Sequence, residues 1–256
     1  MKLNINTNTL KEGLESIQVK GKYVNKGGLS SGSLDDVFYL SAKANTVSLW
    51  GGNNTFLVNI ELEAEIETEG GYIGRAAQII PYLKNFGEEV TLELGDFLSL
   101  SSGSKKASVP RVVEWANIQA IDRLGPILSK LPVVMPTDEL PHLSPKTQFE
   151  GGFILNSDVF TSAISSCELV KSGVYKIDLS KESLKISSTD GPTNSYVEEI
   201  EPVFRIGDPA TVEFSSPLHK FFKKDQLLTF YVLDDAPIVI ISDDRRLVKA
   251  PYIAGV

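Results

Sequence analysis

One cysteine, two histidines and no apolar run near the roughly 20 residues of a membrane span bound this chain before any motif is read. The lone thiol, Cys167, excludes a disulfide framework, and its place in an apolar helical stretch makes it a small buried hydrophobe rather than a reactive group. His142 and His219 have no cysteine or carboxylate at ligand spacing, so no metal or cofactor is expected. No phosphate-cradling glycine loop opens a helix: Ser101-Ser102-Gly103-Ser104-Lys105-Lys106-Ala107 follows a strand and lacks the array of N–H groups a helix start supplies. The polar start Met1-Lys2-Leu3-Asn4-Ile5-Asn6 is no secretory leader, and a cytoplasmic protein is expected.

Carboxylates are plentiful. The pairs Asp234-Asp235 and Asp243-Asp244 would suit a divalent metal and nuclease chemistry, but both sit where hairpin turns are expected, and turns favour aspartate for local hydrogen bonding. Thr189-Asp190-Gly191 has the same explanation. A metal-dependent nuclease therefore stands only as an alternative, and no catalytic residue is assigned.

The chain has 256 residues, 42% of them hydrophobic, enough for two ordinary domains. Its formal charge of −8 means that any contact with nucleic acid must come from segregated basic residues.

An alternating strand at Leu3 and Ile5 leads to a helix whose start reads as a capping box, Thr9 with Glu12, and whose stripe is Leu10, Leu14 and Ile17. Period-two segments follow at Phe38-Tyr39-Leu40-Ser41-Ala42, Thr46-Val47-Ser48-Leu49-Trp50 and residues 55–63, with a turn expected at Gly51-Gly52-Asn53-Asn54. A second helix is expected over 75–86, closed by Gly87 and disturbed by Pro81, followed by strands at 90–94 and 97–101.

The plan then recurs. A strand at 152–155 precedes a helix over 157–169 with Val159, Phe160, Ala163, Ile164 and Cys167 inward, strands at 174–179 and 183–188, and a short helix over Ser216-Pro217-Leu218-His219-Lys220-Phe221-Phe222-Lys223-Lys224. That helix has a serine cap, proline at its first position and a buried stripe of Leu218, Phe221 and Phe222. Strands at 227–233, 238–241 and 247–252 close the chain. The repeat predicts two similar α+β domains, 1–111 and 150–256, joined by a connector over 112–149 that carries five prolines and a helical turn or two near 118–124.

Basic residues concentrate at the helices: Lys11, Lys20 and Lys22 near the first, Arg75 and Lys84 near the second, Lys220, Lys223 and Lys224 on the fourth. If the helices share a surface, these residues would meet phosphates in a sequence-independent, salt-sensitive way. Phe221 and Phe222, between Lys220 and Lys223, belong to the buried stripe and leave no aromatic on the basic side of that helix, which favours duplex DNA over stacked single strands.

The run Leu228-Thr229-Phe230-Tyr231-Val232-Leu233-Asp234-Asp235-Ala236-Pro237-Ile238-Val239-Ile240-Ile241, with Leu247-Val248-Lys249-Ala250-Pro251-Tyr252, resembles the closing strands of proliferating cell nuclear antigen. Phe86-Gly87-Glu88-Glu89-Val90-Thr91-Leu92-Glu93-Leu94 and Ile186-Ser187-Ser188-Thr189-Asp190-Gly191-Pro192 resemble the bacterial beta clamp. Over nearly its whole length the chain is thus similar to the DNA sliding clamps. The resemblance implies a DNA clamp fold, with antiparallel sheets outside and two helices per domain on the inner face of a ring. A two-domain chain implies a homotrimer that encircles double-stranded DNA as a non-enzymatic processivity factor, and the mixture of features implies a viral or phage clamp. It also implies that Lys11, Lys84 and Lys224 face DNA, and that polymerase and clamp loader dock in an apolar pocket built from Leu124, Ile127 and Leu128 of the connector with Pro237, Ala250, Pro251 and Tyr252. The helix over 157–169 departs from the pattern, having no lysine or arginine. A monomeric clamp-like factor with an open basic face is the other alternative.

Overall fold

Leu3 and Ile5 alternate with Lys2, Asn4 and Asn6, so one face of the first strand is apolar and buried. The computed structural model describes residues 1–18, 36–53, 55–135, 139–145, 147–215 and 218–252. Strand β1 (Lys2–Asn6) passes directly into helix α1 (Thr7–Ser16). Asn6 is the cap: its side-chain oxygen accepts from the backbone N–H groups of Asn8 and Thr9, both at 3.0 Å, two of the donors that a helix start leaves open. This corrects the expected Thr9 and Glu12 capping box. Thr9 lies inside the first turn, where its own hydroxyl donates to Asn6 at 3.3 Å. Leu10, Leu14 and Ile17 are buried as their spacing predicts. A Cβ on Gly13 would come within 2.9 Å of a Leu49 methyl, so glycine is what lets α1 settle onto the strands beneath it.

The first unit continues through β2 (Val37–Lys43), β3 (Thr46–Asn53), β4 (Phe56–Glu63), β5 (Glu65–Thr68), β6 (Gly70–Arg75), α2 (Ala76–Leu83), β7 (Glu89–Leu94), β8 (Leu98–Ser102) and β9 (Lys105–Val109). Its sheets run in the orders β5-β1-β7-β8-β9 and β4-β3-β2-β6, and every pairing within them is antiparallel. Gly51 and Gly52 belong to β3 rather than to a turn. The chain reverses at Asn53, whose side chain accepts from the Thr55 and Phe56 N–H groups. Helix α2 contains Pro81 without ending there; it stops at Leu83, short of the expected 86, where Asn85 and Phe86 donate to Tyr82 O and Leu83 O in a tightened last turn. Gly87 is no left-handed cap; its N–H donates to Ser102 Oγ at 3.0 Å.

Helix α3 (Ile118–Leu128) is longer than the turn or two expected, and the division between the compact units, at Arg123 and Leu124, falls within it. The hairpin β10 (His142–Ser144) and β11 (Thr147–Gln148) follows. The stretch between α3 and β10 is fastened to one sheet face: Arg246 Nε donates to Leu128 O at 3.2 Å, Tyr231 donates its hydroxyl to Pro132 O at 2.8 Å, and Thr229 donates to Val133 O. Gly152 makes room for it, since a Cβ there would sit 2.7 Å from the Met135 sulfur.

The second unit is built from β12 (Gly151–Asn156), α4 (Ser157–Glu168), β13 (Val174–Leu179), β14 (Leu184–Asp190), β15 (Asn194–Ile200), β16 (Phe204–Gly207), β17 (Ala210–Ser215), a 3-10 turn (Leu218–Phe221), β18 (Leu227–Val232), β19 (Ile238–Ile241) and β20 (Arg245–Lys249). Its strands run in the orders β16-β12-β18-β19-β20 and β15-β14-β13-β17. Strand β1 corresponds to β12, β2–β6 to β13–β17 and β7–β9 to β18–β20, so the two units share one topology and the duplication read from sequence is real. Phe153 and Phe230 stack at 4.5 Å, and Phe160 of α4 meets Phe230 edge-on at 5.0 Å. Val159, expected inward, is 40% exposed.

The helix expected over 216–224 is reduced to the single turn Leu218–Phe221; Ser216 and Pro217, its expected cap and first residue, lie outside the described residues. The reason lies across the unit. Arg245 donates to the Phe221 carbonyl, taking the place of a further helical donor, and Asp225 turns the backbone left-handed at φ 56° so that β18 can begin. The last strand also shifts: it opens at Arg245 and stops at Lys249, before Pro251.

Candidate nucleic-acid interface

In the first unit α1 and α2 pack side by side. Lys11 is half-buried on α1 and Lys84 is exposed just past the end of α2, and neither makes an ion pair among the described residues. Glu12 and Glu15 share the solvent side of α1, so this surface is mixed in sign. Arg75 is committed elsewhere. It precedes α2 and its guanidinium lies 2.8 Å from Asp36 Oδ1, a partly buried bridge that ties the start of α2 to the residue before β2. Lys20 and Lys22 lie outside the described residues.

In the second unit Asn156 caps α4, accepting from the Asp158 N–H at 2.9 Å. The outer residues of α4 include Asp158, Ser162 and Ser165, with no lysine or arginine. Lys171, exposed and left-handed at φ 63° just beyond α4, is a basic residue that reading the helix alone overlooks. Its signal was only its distance from the helix end.

The 3-10 turn carries the densest basic cluster. Leu218, His219 and Phe221 are buried, and burial pulls the His219 imidazole below its ordinary value, with the Glu168 charge opposing and the Lys220 charge adding to the shift. Lys220 and Lys224 are exposed and make no ion pair among the described residues. Lys223 is different: its Nζ lies 2.5 Å from Asp244 Oδ2. Asp244 also accepts from Gln226 Nε2 at 3.3 Å and Ser242 Oγ at 3.5 Å, and Arg245 Nε is 3.8 Å away. Burial alone would raise the Asp244 carboxyl, but the hydrogen bonds from Lys223 and Gln226, with the Arg245 charge, bring it below its ordinary value. Arg245, itself buried, stacks over the Phe221 ring at 5.4 Å.

The aspartate pairs are turn residues. Asp235 is left-handed at φ 53°, and Asp234 accepts from the Thr211 N–H. Among the described residues no three histidine, cysteine or acidic side chains converge as a metal site would need. Cys167 is buried, and desolvation pushes its thiol up to about 11.

The apolar candidates all fall at or after Leu124. Tyr252 is 42% exposed; Leu124, Ile127, Pro237, Ala250 and Pro251 are half-buried; Leu128 is fully buried and offers its carbonyl to Arg246 of β20. The Tyr252 N–H donates to Glu213 O at 2.7 Å, placing the chain end beside β17.

No protein-family model and no curated protein sequence matches this chain. Solved structures do. A DNA polymerase III beta subunit from Eubacterium rectale aligns with a TM-score of 0.72 at 14% identity, over 100% of this chain and 66% of that one. The sliding clamp of Pseudomonas aeruginosa aligns with a TM-score of 0.72 at 13% identity, over 99% and 67%. The PCNA of A. fulgidus, solved with the C-terminal region of FEN-1, aligns with a TM-score of 0.69 at 15% identity, over 100% of this chain and 99% of that one. The chain thus spans about two thirds of the bacterial clamp chains and nearly all of the archaeal one. Its fold is that of the DNA polymerase sliding clamps.

Proposed function

We propose that this chain is a non-enzymatic sliding clamp, three copies of which close into a ring around duplex DNA and tether a polymerase during replication. The observation that carries the reading is the full-length match of a duplicated two-unit chain to a clamp chain of the same extent, the archaeal PCNA, with only two thirds of the bacterial chains covered. Two clamp units per chain need three chains for a six-unit ring.

Sheet edges support ring closure. Strands β9 and β15 each have one strand neighbour among the described residues, β8 and β14 respectively. The β9 edge carries Lys105 and Lys106; the β15 edge carries Glu198 and Glu199. Like edges repel and unlike edges attract, so a copy prefers to join its β9 to the β15 of the next. Lys105 lies on the face of β9 that holds Val109, opposite buried Leu98 of β8, and Glu198 lies on the face of β15 opposite buried Ile186. Such a head-to-tail contact generates a ring when the rotation from one copy to the next closes, which three copies would require to be one third of a full turn.

Lys11, Lys84, Lys220 and Lys224 are the residues we assign to the phosphate backbone, each expected to contribute a weak, salt-sensitive contact that permits sliding. The apolar set around Tyr252, Pro251, Ala250, Pro237, Ile127 and Leu124 is assigned to polymerase and loader segments; clamps among the matched structures were solved with FEN-1 and DNA ligase segments. The test is processive synthesis by the cognate polymerase with and without this protein. Longer products are expected with it, and a Lys220→Glu, Lys224→Glu variant is expected to lose most of the gain. Equal product lengths with and without the protein would refute the reading.

A further inference from the structure

We infer that Asp244 holds Lys223 out of the DNA contact, so that the basic turn engages phosphate with Lys220 and Lys224 alone and Asp244 sets the strength of that engagement. The inference rests on the DNA-binding reading above and concerns how that surface is tuned.

Three lysines within five residues look equivalent in sequence, but the structure separates them. Lys220 and Lys224 make no ion pair among the described residues, whereas Lys223 lies 2.5 Å from Asp244 Oδ2. That carboxylate is no mobile surface group. Its side chain is 23% exposed, and Gln226, Ser242 and Arg245 hold it from three further directions. The segment bearing Gln226 is fixed in turn, because the Gln226 N–H donates to Ser157 Oγ at 3.1 Å and the Ser157 N–H donates to Gln226 O at 2.8 Å. Buried Arg245 grips the Phe221 carbonyl from the strand that follows Asp244.

A fixed, partly buried carboxylate is screened by salt less than an exposed one. A phosphate approaching Lys223 therefore meets an ion pair, close to neutral at a distance, and must displace an anion already anchored. The acidic turn at Asp243-Asp244, which in sequence suggests only a hairpin, becomes the residue that subtracts one positive charge from the DNA-facing cluster. A sliding contact gains from this subtraction, since each added phosphate contact strengthens holding at the expense of movement.

The test is binding of a fluorescent 24-base-pair duplex, followed by anisotropy at about 50 mM salt and over a salt series. It compares the full-length protein with Asp244→Asn, Lys223→Met, the two combined, and Lys220→Met with Lys224→Met. Asp244→Asn is expected to bind about two- to fivefold tighter, with a steeper salt dependence. Lys223→Met alone is expected to cost less than about twofold, and in the Asp244→Asn background to remove the gain. Lys223→Met leaves Asp244 and its other donors in place, so this arm does not depend on how Asp244→Asn folds. A loss on Lys223→Met of half or more of that on the combined Lys220→Met, Lys224→Met variant, or a properly folded Asp244→Asn that binds no tighter, would overturn the inference while leaving the DNA reading intact. No binding by any of the proteins would overturn both.

Discussion

Asn6 and Asn156 hold equivalent positions in the two units: each ends a strand in extended backbone and turns its side chain back to cap the helix that follows. The caps differ in strength. Asn6 accepts from two N–H groups and a hydroxyl, whereas Asn156 accepts from one N–H. Asn6→Ala is therefore expected to destabilise its unit by about 1–2 kcal/mol and Asn156→Ala by about 0.5–1 kcal/mol. Urea unfolding of both variants, followed by hydrogen exchange in α1 and α4, reads the difference. An equal or reversed order would count against it.

The ring contact makes a charge-exchange prediction. Lys105→Glu with Lys106→Glu should dissociate the assembly, and so should Glu198→Lys with Glu199→Lys. Mixing the two variants should join unlike copies but not restore a closed ring, because a ring of three must seat two copies of one variant side by side, and their facing edges then carry the same sign. The fourfold variant, with both edges reversed, should assemble again. Sedimentation velocity distinguishes these cases, and a fourfold variant that stays dissociated would argue for a different interface.

Lys249 is 1% exposed and desolvation lowers its ammonium from the ordinary 10.5 to about 8. Between these values the unfolded chain holds more protons than the folded one, so this residue makes stability rise with pH from about 8. Cys167 works the other way. Its folded value is raised from 9.0 to about 11, which makes stability fall with pH above 9. The Lys249 contribution is therefore cleanest between about pH 8 and 9. Wild-type stability minus that of Lys249→Met should rise across this window, and a flat difference would show that the ammonium is better solvated than its surroundings imply.

Tyr231→Phe should loosen the segment after α3. The lost hydroxyl bond to Pro132 O is expected to cost about 1 kcal/mol and to speed hydrogen exchange over residues 131–135 while sparing β13 and β14. Exchange unchanged at Leu131 and Val133 would mean that this bond does not hold the segment.

Periodicity made most elements legible, because strands such as Val174–Leu179 and helices such as α4 follow from alternating or helical spacing of apolar residues. Strands β5, β6, β9 and β15–β17 escaped it. Most of their faces are exposed or broken by glycine, as in Glu65–Thr68 and Gly70–Arg75, so little apolar contrast marks them; β17 is the exception, since Ala210, Val212 and Phe214 alternate and are buried. The basic turn was located but misjudged in length, since its termination depends on Arg245, 24 residues away. Charge identity was legible and charge availability was not. Nothing near Arg75 or Lys223 in sequence announces that Asp36 and Asp244 already occupy them. The apolar candidates show the same limit, because Leu128 reads like Ile127 until its burial separates them.

Light scattering of the purified chain in solution bears most directly on ring formation. A mass of three times the 28.0 kDa chain, stable over a tenfold dilution, is the expected result. A single 28.0 kDa species at every concentration would contradict a closed ring and leave only an open basic surface on a monomer.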